Sequence, residues 1–189
     1  MENQLLYEIY TAYAGELSLY LYSLCRDREL ANDLLQEVFL KAMLSLPPDH
    51  GNFRAWLYKV ARNLCFNALR NQKREIASDD PVAETGLLGE FQIRKENRSP
   101  LDHILESERN RRLYKGILQL SSTASQVILL QYFGGLSQKE IATVLGISPG
   151  NVRVIALRAR VQLREHMEAY EKEGTDSVDT SKGGATDEL

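Results

Sequence analysis

Four arginines, Arg153, Arg158, Arg160 and Arg164, fall within residues 149–164, a run that contains no acid. A second acid-free run, 54–74, holds Arg54, Lys59, Arg62, Arg70, Lys73 and Arg74 among Trp56, Asn63 and Asn67. Guanidinium and ammonium groups grip phosphate, amides hydrogen-bond base edges, and aromatic faces stack on unpaired bases. The chemistry these residues support is recognition, not bond making. The three histidines, His50, His103 and His166, stand far apart in the sequence. They form no HExxH motif, and the chain has no nucleophile motif and no glycine-rich phosphate loop. An enzyme is therefore the least supported class, and no cofactor or small-molecule substrate is expected.

The basic runs do not make the whole chain basic. Its net charge is −3 over 189 residues, and residues 171–189 carry six acids against two lysines. Indiscriminate coating of nucleic acid needs many neutralised phosphates and is excluded by this balance. Cys25 and Cys65 sit in apolar helical surroundings without metal-binding spacing and read as buried thiols. There is no signal-peptide pattern and no apolar run of about 20 residues, so a soluble cytoplasmic protein is expected.

The arginine run needs an element to aim it. The stretch LSQKEIATVLGISPGNVRVIALRARVQLR (136–164) predicts two helices at a tight turn. Ser137 and Glu140 have the spacing of a capping box. Ile141, Ala142 and Leu145 form an apolar face, and Gly146 permits the left-handed residue that ends the helix. Ile147 fits the angle between the helices. Ser148 caps the second helix, with Pro149 in its first turn. Val152, Ile155, Ala156, Ala159 and Leu163 continue at helical spacing. A short helix, a glycine turn and a basic second helix make a helix-turn-helix, whose second helix enters a DNA major groove. The plainer alternative is a helical hairpin with a solvated basic face.

The other run needs a scaffold too. Residues 4–25 predict a helix with an aromatic face (Tyr7, Tyr10, Tyr13, Tyr20, Tyr22), the rings packed and the hydroxyls near the rim. Asp27 is placed to cap a second helix, 28–46, which buries Ala31, Leu34, Leu35, Val38, Phe39 and Ala42 before Pro47 and Pro48 end it. Asp33 and Glu37 lie four apart on its other side and repel slightly unless something cationic faces them; a solvated helix face is the plainer alternative. Asn52 is a plausible cap for a third helix, 53–72, in which Trp56 is more readily core than stacking platform. Its basic residues are spread over more than one face.

The periodic pattern breaks from Glu75 to Asn97, which reads as a linker. Ser99 and Pro100 open a second domain of four helices: 100–119, 122–133 and the helix-turn-helix pair. From about Glu173 the chain turns to Gly, Ser, Thr and Asp, and disorder is expected. The expected architecture is all-α: two small helical domains joined by a flexible linker, the C-terminal one containing the helix-turn-helix.

The parts in this order, DLLQEVFLKA (33–42), FRAWLYKVARNLCFNALR (53–70), a linker and the helix-turn-helix, resemble a bacterial RNA polymerase sigma factor. The resemblance is to the extracytoplasmic-function group, the minimal members of the sigma-70 family, and covers residues 4 to about 168. It implies four segments: 1–76, sigma region 2; 77–98, the linker; 99–170, sigma region 4; and 171–189, a disordered acidic tail. It further implies a protein that binds core RNA polymerase and directs it to promoters, reading the −35 element as duplex and the −10 element as melted strand.

By position, Asp33, Gln36 and Glu37 resemble the surface that docks on the coiled coil of the β′ subunit, with β as a further contact. Trp56, Lys59, Arg62, Asn63, Asn67, Arg70, Lys73 and Arg74 resemble the −10 region, and the turn 47–52 resembles the pocket for a flipped base. Gln138, Lys139, Ser148, Asn151, Arg153, Arg158 and Arg160 resemble the −35 region. An anti-sigma protein, often membrane-bound in this family, is the implied regulator. The chain departs from the family pattern at two places. Asn151, Val154 and Ile155 replace the usual Thr, small residue and Arg. Asn67 replaces an Asp, so a local salt bridge becomes a neutral hydrogen bond. The main rival is a two-domain transcriptional regulator, which would need a sensor or dimerisation domain before its helix-turn-helix.

Overall fold

The computed structural model describes residues 2–44, 52–78 and 99–179, with side chains for 7–44, 52–74 and 99–170. The turn 47–51, the linker 79–98 and residues 180–189 lie outside the described residues, so the readings made for them find no structural counterpart. Eight α-helices are described: α1 Glu2–Cys25, α2 Arg28–Leu44, α3 Phe53–Ser78, α4 Pro100–Ile104, α5 Glu108–Gln119, α6 Ser122–Ile128, α7 Gln138–Leu145 and α8 Pro149–Asp179. A π-helical turn, Leu129–Phe133, prolongs α6.

Helices α1, α2 and α3 form the N-terminal cluster, and α4 to α8 the C-terminal one. The two share one continuous apolar core. The reason is α1, whose residues 17–21 are all buried. A helix facing one partner buries one stripe, whereas a run buried in full is enclosed on several sides. Leu17 and Leu21 face the same way at i and i+4, while Leu19 points elsewhere and is equally buried. Both α2 and α3 pack on α1, and so do α4 and α6. Leu19 therefore escapes a reading based on a single stripe. Tyr20 is a correction to the aromatic-rim expectation: it is fully buried, and its hydroxyl donates to Gln126 Oε1 at 3.2 Å across the two clusters. Burial pushes that hydroxyl above its usual range, which keeps it a donor.

The caps hold where the sequence places them. Asp27 Oδ1 accepts from the Leu30 amide at 3.0 Å, and Asn52 Oδ1 from the Ala55 amide at 3.3 Å. Ser137 and Glu140 form the reciprocal capping box, and Ser148 Oγ accepts from the Asn151 amide at 3.2 Å. Gly146 has φ 70°, the left-handed conformation that disfavours a Cβ. Gly146→Ala should lower stability by about 1–2 kcal/mol, which chemical denaturation followed by far-UV circular dichroism would read.

Three boundaries differ from expectation. The predicted helix 100–119 is two helices, because Ser107 breaks it and caps α5, accepting from the Asn110 amide at 3.1 Å. The C-terminal cluster thus has five helices rather than four. Helix α3 runs to Ser78, into the expected linker, since 73–78 contain neither Gly nor Pro to stop it. Helix α8 continues to Asp179, so the expectation of disorder from Glu173 does not hold for 173–179. A packed helix propagates at little cost once nucleated.

The cysteines also differ from each other. Cys65 is buried, whereas Cys25 is only half-buried, at the end of α1, with its thiol donating to the Asp27 carbonyl at 3.1 Å.

Candidate nucleic-acid and polymerase interfaces

Helix α3 organises the first basic run. Leu57, Tyr58, Ala61, Leu64 and Cys65 are buried, which fixes the rotation of the helix. Lys59, Asn63, Asn67, Arg70, Lys73 and Arg74 are then all exposed, at steps of three and four. They form one stripe, while Arg54 and Arg62 turn toward the C-terminal cluster, so the basic residues occupy more than one face as expected. Phe66 lies on this stripe, 40% exposed, with the Arg62 guanidinium 4.7 Å from its ring centroid. Sequence reasoning passed over Phe66; its position three and seven residues from Asn63 and Lys59 was the available signal. Asn67 Oδ1 accepts from Arg70 Nη2 at 2.9 Å, so a charge-assisted hydrogen bond stands where a neutral one was expected in place of a salt bridge. Trp56 is half-buried and stacks on Phe53 at 5.9 Å and 22°, at the N-terminal end of the stripe, three residues before Lys59 and seven before Asn63.

Arg62 differs from the other basic residues. Its Nε donates to Gln126 Oε1 at 3.3 Å, in the opposite cluster. Gln126 is buried, accepts from both Arg62 and Tyr20, and anchors itself through Nε2 on the Ser122 carbonyl at 3.2 Å. Two further bonds join α3 and its cap to the C-terminal cluster. Arg54 Nη1 donates to the Gly134 carbonyl at 3.1 Å, and Asn52 Nδ2 donates to Glu140 Oε1. Gly134 is needed for this approach, because a Cβ there would stand 2.9 Å from the Tyr58 ring. The Asn52 amide, followed by the Ser137 groups, holds the Glu140 carboxyl below its usual range. Away from α3, Tyr114 Oη donates to the Leu19 carbonyl at 2.5 Å and Arg26 Nη2 to the Leu118 carbonyl at 2.6 Å. Arg28 pairs with Asp102.

The helix-turn-helix is formed by α7 and α8. Val152, Ala156 and Ala159 are buried, Val144 joins Ile141 and Ala142 in the core, and Ile155 and Leu163 pack at its edge. Gln138, Lys139, Ser148, Asn151, Arg153, Arg158 and Arg160 are all exposed. On α8 they divide by rotation. Asn151 and Arg158, seven apart, edge one side; Arg153, Arg160 and Arg164, at steps of seven and four, edge the other. Between them the outermost line carries Val154, Leu157 and Val161.

On α2, Asp33, Gln36 and Glu37 are exposed together, with Glu37 3.8 Å from Lys41. Leu40 continues the same face and is 57% exposed, a residue the sequence reading did not single out. Among the described residues no three His, Cys, Asp or Glu side chains converge as metal ligands.

An all-helical chain with a basic, aromatic-bearing stripe in one cluster and a helix-turn-helix in the other is a nucleic-acid-reading protein of the transcription class. Two family models match it: Sigma-70 region 2 over residues 9–75, and Sigma-70, region 4 over residues 110–163. The extracytoplasmic-function RNA polymerase sigma factor SigM of Bacillus subtilis is 30% identical over 159 residues, 83% of this chain and 91% of that protein. SigW of the same organism is 32% identical over 167 residues, 82% and 89% of the two chains. The fold is also that of the sigma factor RpoE of Bartonella quintana, solved in complex with the anti-sigma factor NepR. That match has a TM-score of 0.62 at 22% identity and covers 85% of this chain and 95% of the other.

The chain belongs to the extracytoplasmic-function group of the sigma-70 family. It is a sigma factor that directs RNA polymerase to promoters. RNA polymerase is its partner class.

Proposed function

We propose that the two basic faces divide promoter recognition between them. The exposed stripe of α3 takes the melted −10 strand: Lys59, Arg70, Lys73 and Arg74 hold phosphates, and Asn63, Asn67 and Phe66 meet bases. Trp56, half-buried at the start of α3, offers a ring face for a flipped base. The first turns of α8 read the −35 duplex, with Asn151 and Arg153 at base edges and Arg158, Arg160, Gln138 and Lys139 on the backbone. The observation that carries this reading is the single α3 stripe together with a recognition helix that Ser148 caps and that holds no acid over 149–164.

Asp33, Gln36 and Glu37, with Leu40 beside them, dock on the β′ coiled coil of core polymerase, which supplies the cations the acids need, and β takes a further contact. The anti-sigma factor, membrane-bound or free, works in the cytoplasm by holding both clusters. The bonds from Arg62, Arg54 and Asn52 to the C-terminal cluster support a closed resting form of the free chain. The −10 and −35 elements occupy separate stretches of DNA, so the clusters part when both are engaged.

Run-off transcription with purified core polymerase on pooled genomic promoter fragments tests the division. New transcripts sharing two upstream motifs are expected only when the protein is present. Duplex binding without core-dependent transcripts would favour the two-domain regulator instead. Arg153→Ala should cost roughly 1–3 kcal/mol of −35 affinity and relax preference at one base pair, as measured by competition among single-substituted duplexes.

A further inference from the structure

The outer line of α8 is apolar where a DNA-facing helix is commonly polar. Val154 is 46% exposed, Leu157 57% and Val161 45%. Side chains in contact only with water or phosphate have no reason to be branched hydrocarbons, and a line of them marks a contact surface. The charges on either side indicate what covers it. Asn151 and Arg158 flank the line on one edge, Arg153, Arg160 and Arg164 on the other, and residues 149–164 hold no acid. A polyanion with an apolar feature at the floor of its groove fits that arrangement. The major groove of DNA offers one such feature, the thymine C5-methyl group.

Val154 is the apolar residue best placed to reach it. It lies in the second turn of α8, and the N-terminal turns of a recognition helix are the part that meets base edges. Gly150, one turn earlier on the same line, leaves the approach open: a Cβ there would find nothing nearer than Ser148 Oγ at 4.0 Å. Asn151 is three residues before Val154 on the adjoining edge, so an adenine-reading amide and a methyl-reading isopropyl group stand side by side.

We infer that Val154 is a specificity-determining residue of the −35 interface, reading a thymine by van der Waals contact with its C5-methyl group. This rests on the −35 assignment proposed above. It gives a direct readout role to one of the positions where the chain departs from its family, with no new hydrogen bond required.

The test uses holoenzyme, core polymerase with the full chain. A randomised duplex pool is first selected for −35 preference. The selected duplex is then resynthesised with each thymine replaced in turn by deoxyuridine, which removes the methyl and nothing else. Burying one methyl-sized apolar group corresponds to about fourfold in affinity. One deoxyuridine position should therefore weaken wild-type binding about fourfold, and the same replacement should change binding by Val154→Ser less than 1.5-fold. The exposed position makes this variant compatible with folding, and helical circular dichroism checks it. If a −35 motif is selected but every deoxyuridine is tolerated, or Val154→Ser keeps the full penalty, the inference fails and the −35 assignment stands. If no −35 motif emerges, both fail.

Discussion

Asp33→Arg should lower affinity for core RNA polymerase by roughly 10- to 100-fold while leaving the fold intact. Asp33 is exposed and belongs to no described ion pair, so its replacement disturbs nothing inside the chain. Reversal removes one attraction to the proposed cationic partner and adds a repulsion, and charge pairs across an interface are each worth one to several kcal/mol, more where solvent is excluded. Glu37→Arg should do less, because Lys41 already shares that carboxylate at 3.8 Å. Pull-down or surface-plasmon titration with purified core reads the effect, and an unchanged thermal melting curve confirms that folding is not the cause. Normal core binding by Asp33→Arg would refute the docking assignment.

Gln126→Leu is the second large effect expected. Its Oε1 is the acceptor for both Tyr20 and Arg62. Leucine fills similar volume but leaves the Tyr20 hydroxyl unpaired, at about 1–3 kcal/mol for a buried polar group. That penalty falls on the closed arrangement alone, since separation of the clusters would hydrate the hydroxyl. The closed form should lose roughly 5- to 150-fold in relative population at those energies. A larger radius of gyration by small-angle X-ray scattering is expected, with tighter core-independent binding of a single strand carrying the −10 motif. A chain that stayed compact and bound the strand no better would argue against Gln126 as the latch. Acid should loosen closure through a different group. Glu140 has its pKa depressed in the closed form, so its contribution is present at neutral pH and is lost as pH falls through that lowered value.

Local signals in the sequence were strong where one residue does one job. Ser137, Glu140, Gly146, Ser148 and Pro149 each specify a backbone feature within four residues of themselves, and the helix-turn-helix was legible for that reason. The acid pair Asp33 and Glu37 was legible as an exposed pair, but Lys41, 3.8 Å from Glu37, was not read as its partner. What could not be read was the contact between clusters. Tyr20 looked like a rim tyrosine because its partner, Gln126, is 106 positions away. Leu19 looked like an off-face residue because α1 was assigned one neighbour surface instead of two. Gly134 follows the predicted end of helix 122–133, and its second duty, making room for Tyr58, depends on a partner far away in the sequence. Ser107 lies in ESERNRR (106–112), a stretch without an apolar residue, and that gap was the signal that two helices stand where one was expected.

The two oxygens of Glu140 have separate duties: Oε2 accepts from the Ser137 amide at 2.7 Å, while Oε1 takes the Asn52 amide. Parting the clusters hands one oxygen to solvent and leaves the other at its post. The N-cap of the helix-turn-helix therefore does not depend on the contact with Asn52, and the proposed opening would leave it in place. The ordering entropy of the duplex-reading unit is met during folding, so DNA binding draws on a rigid surface from first encounter.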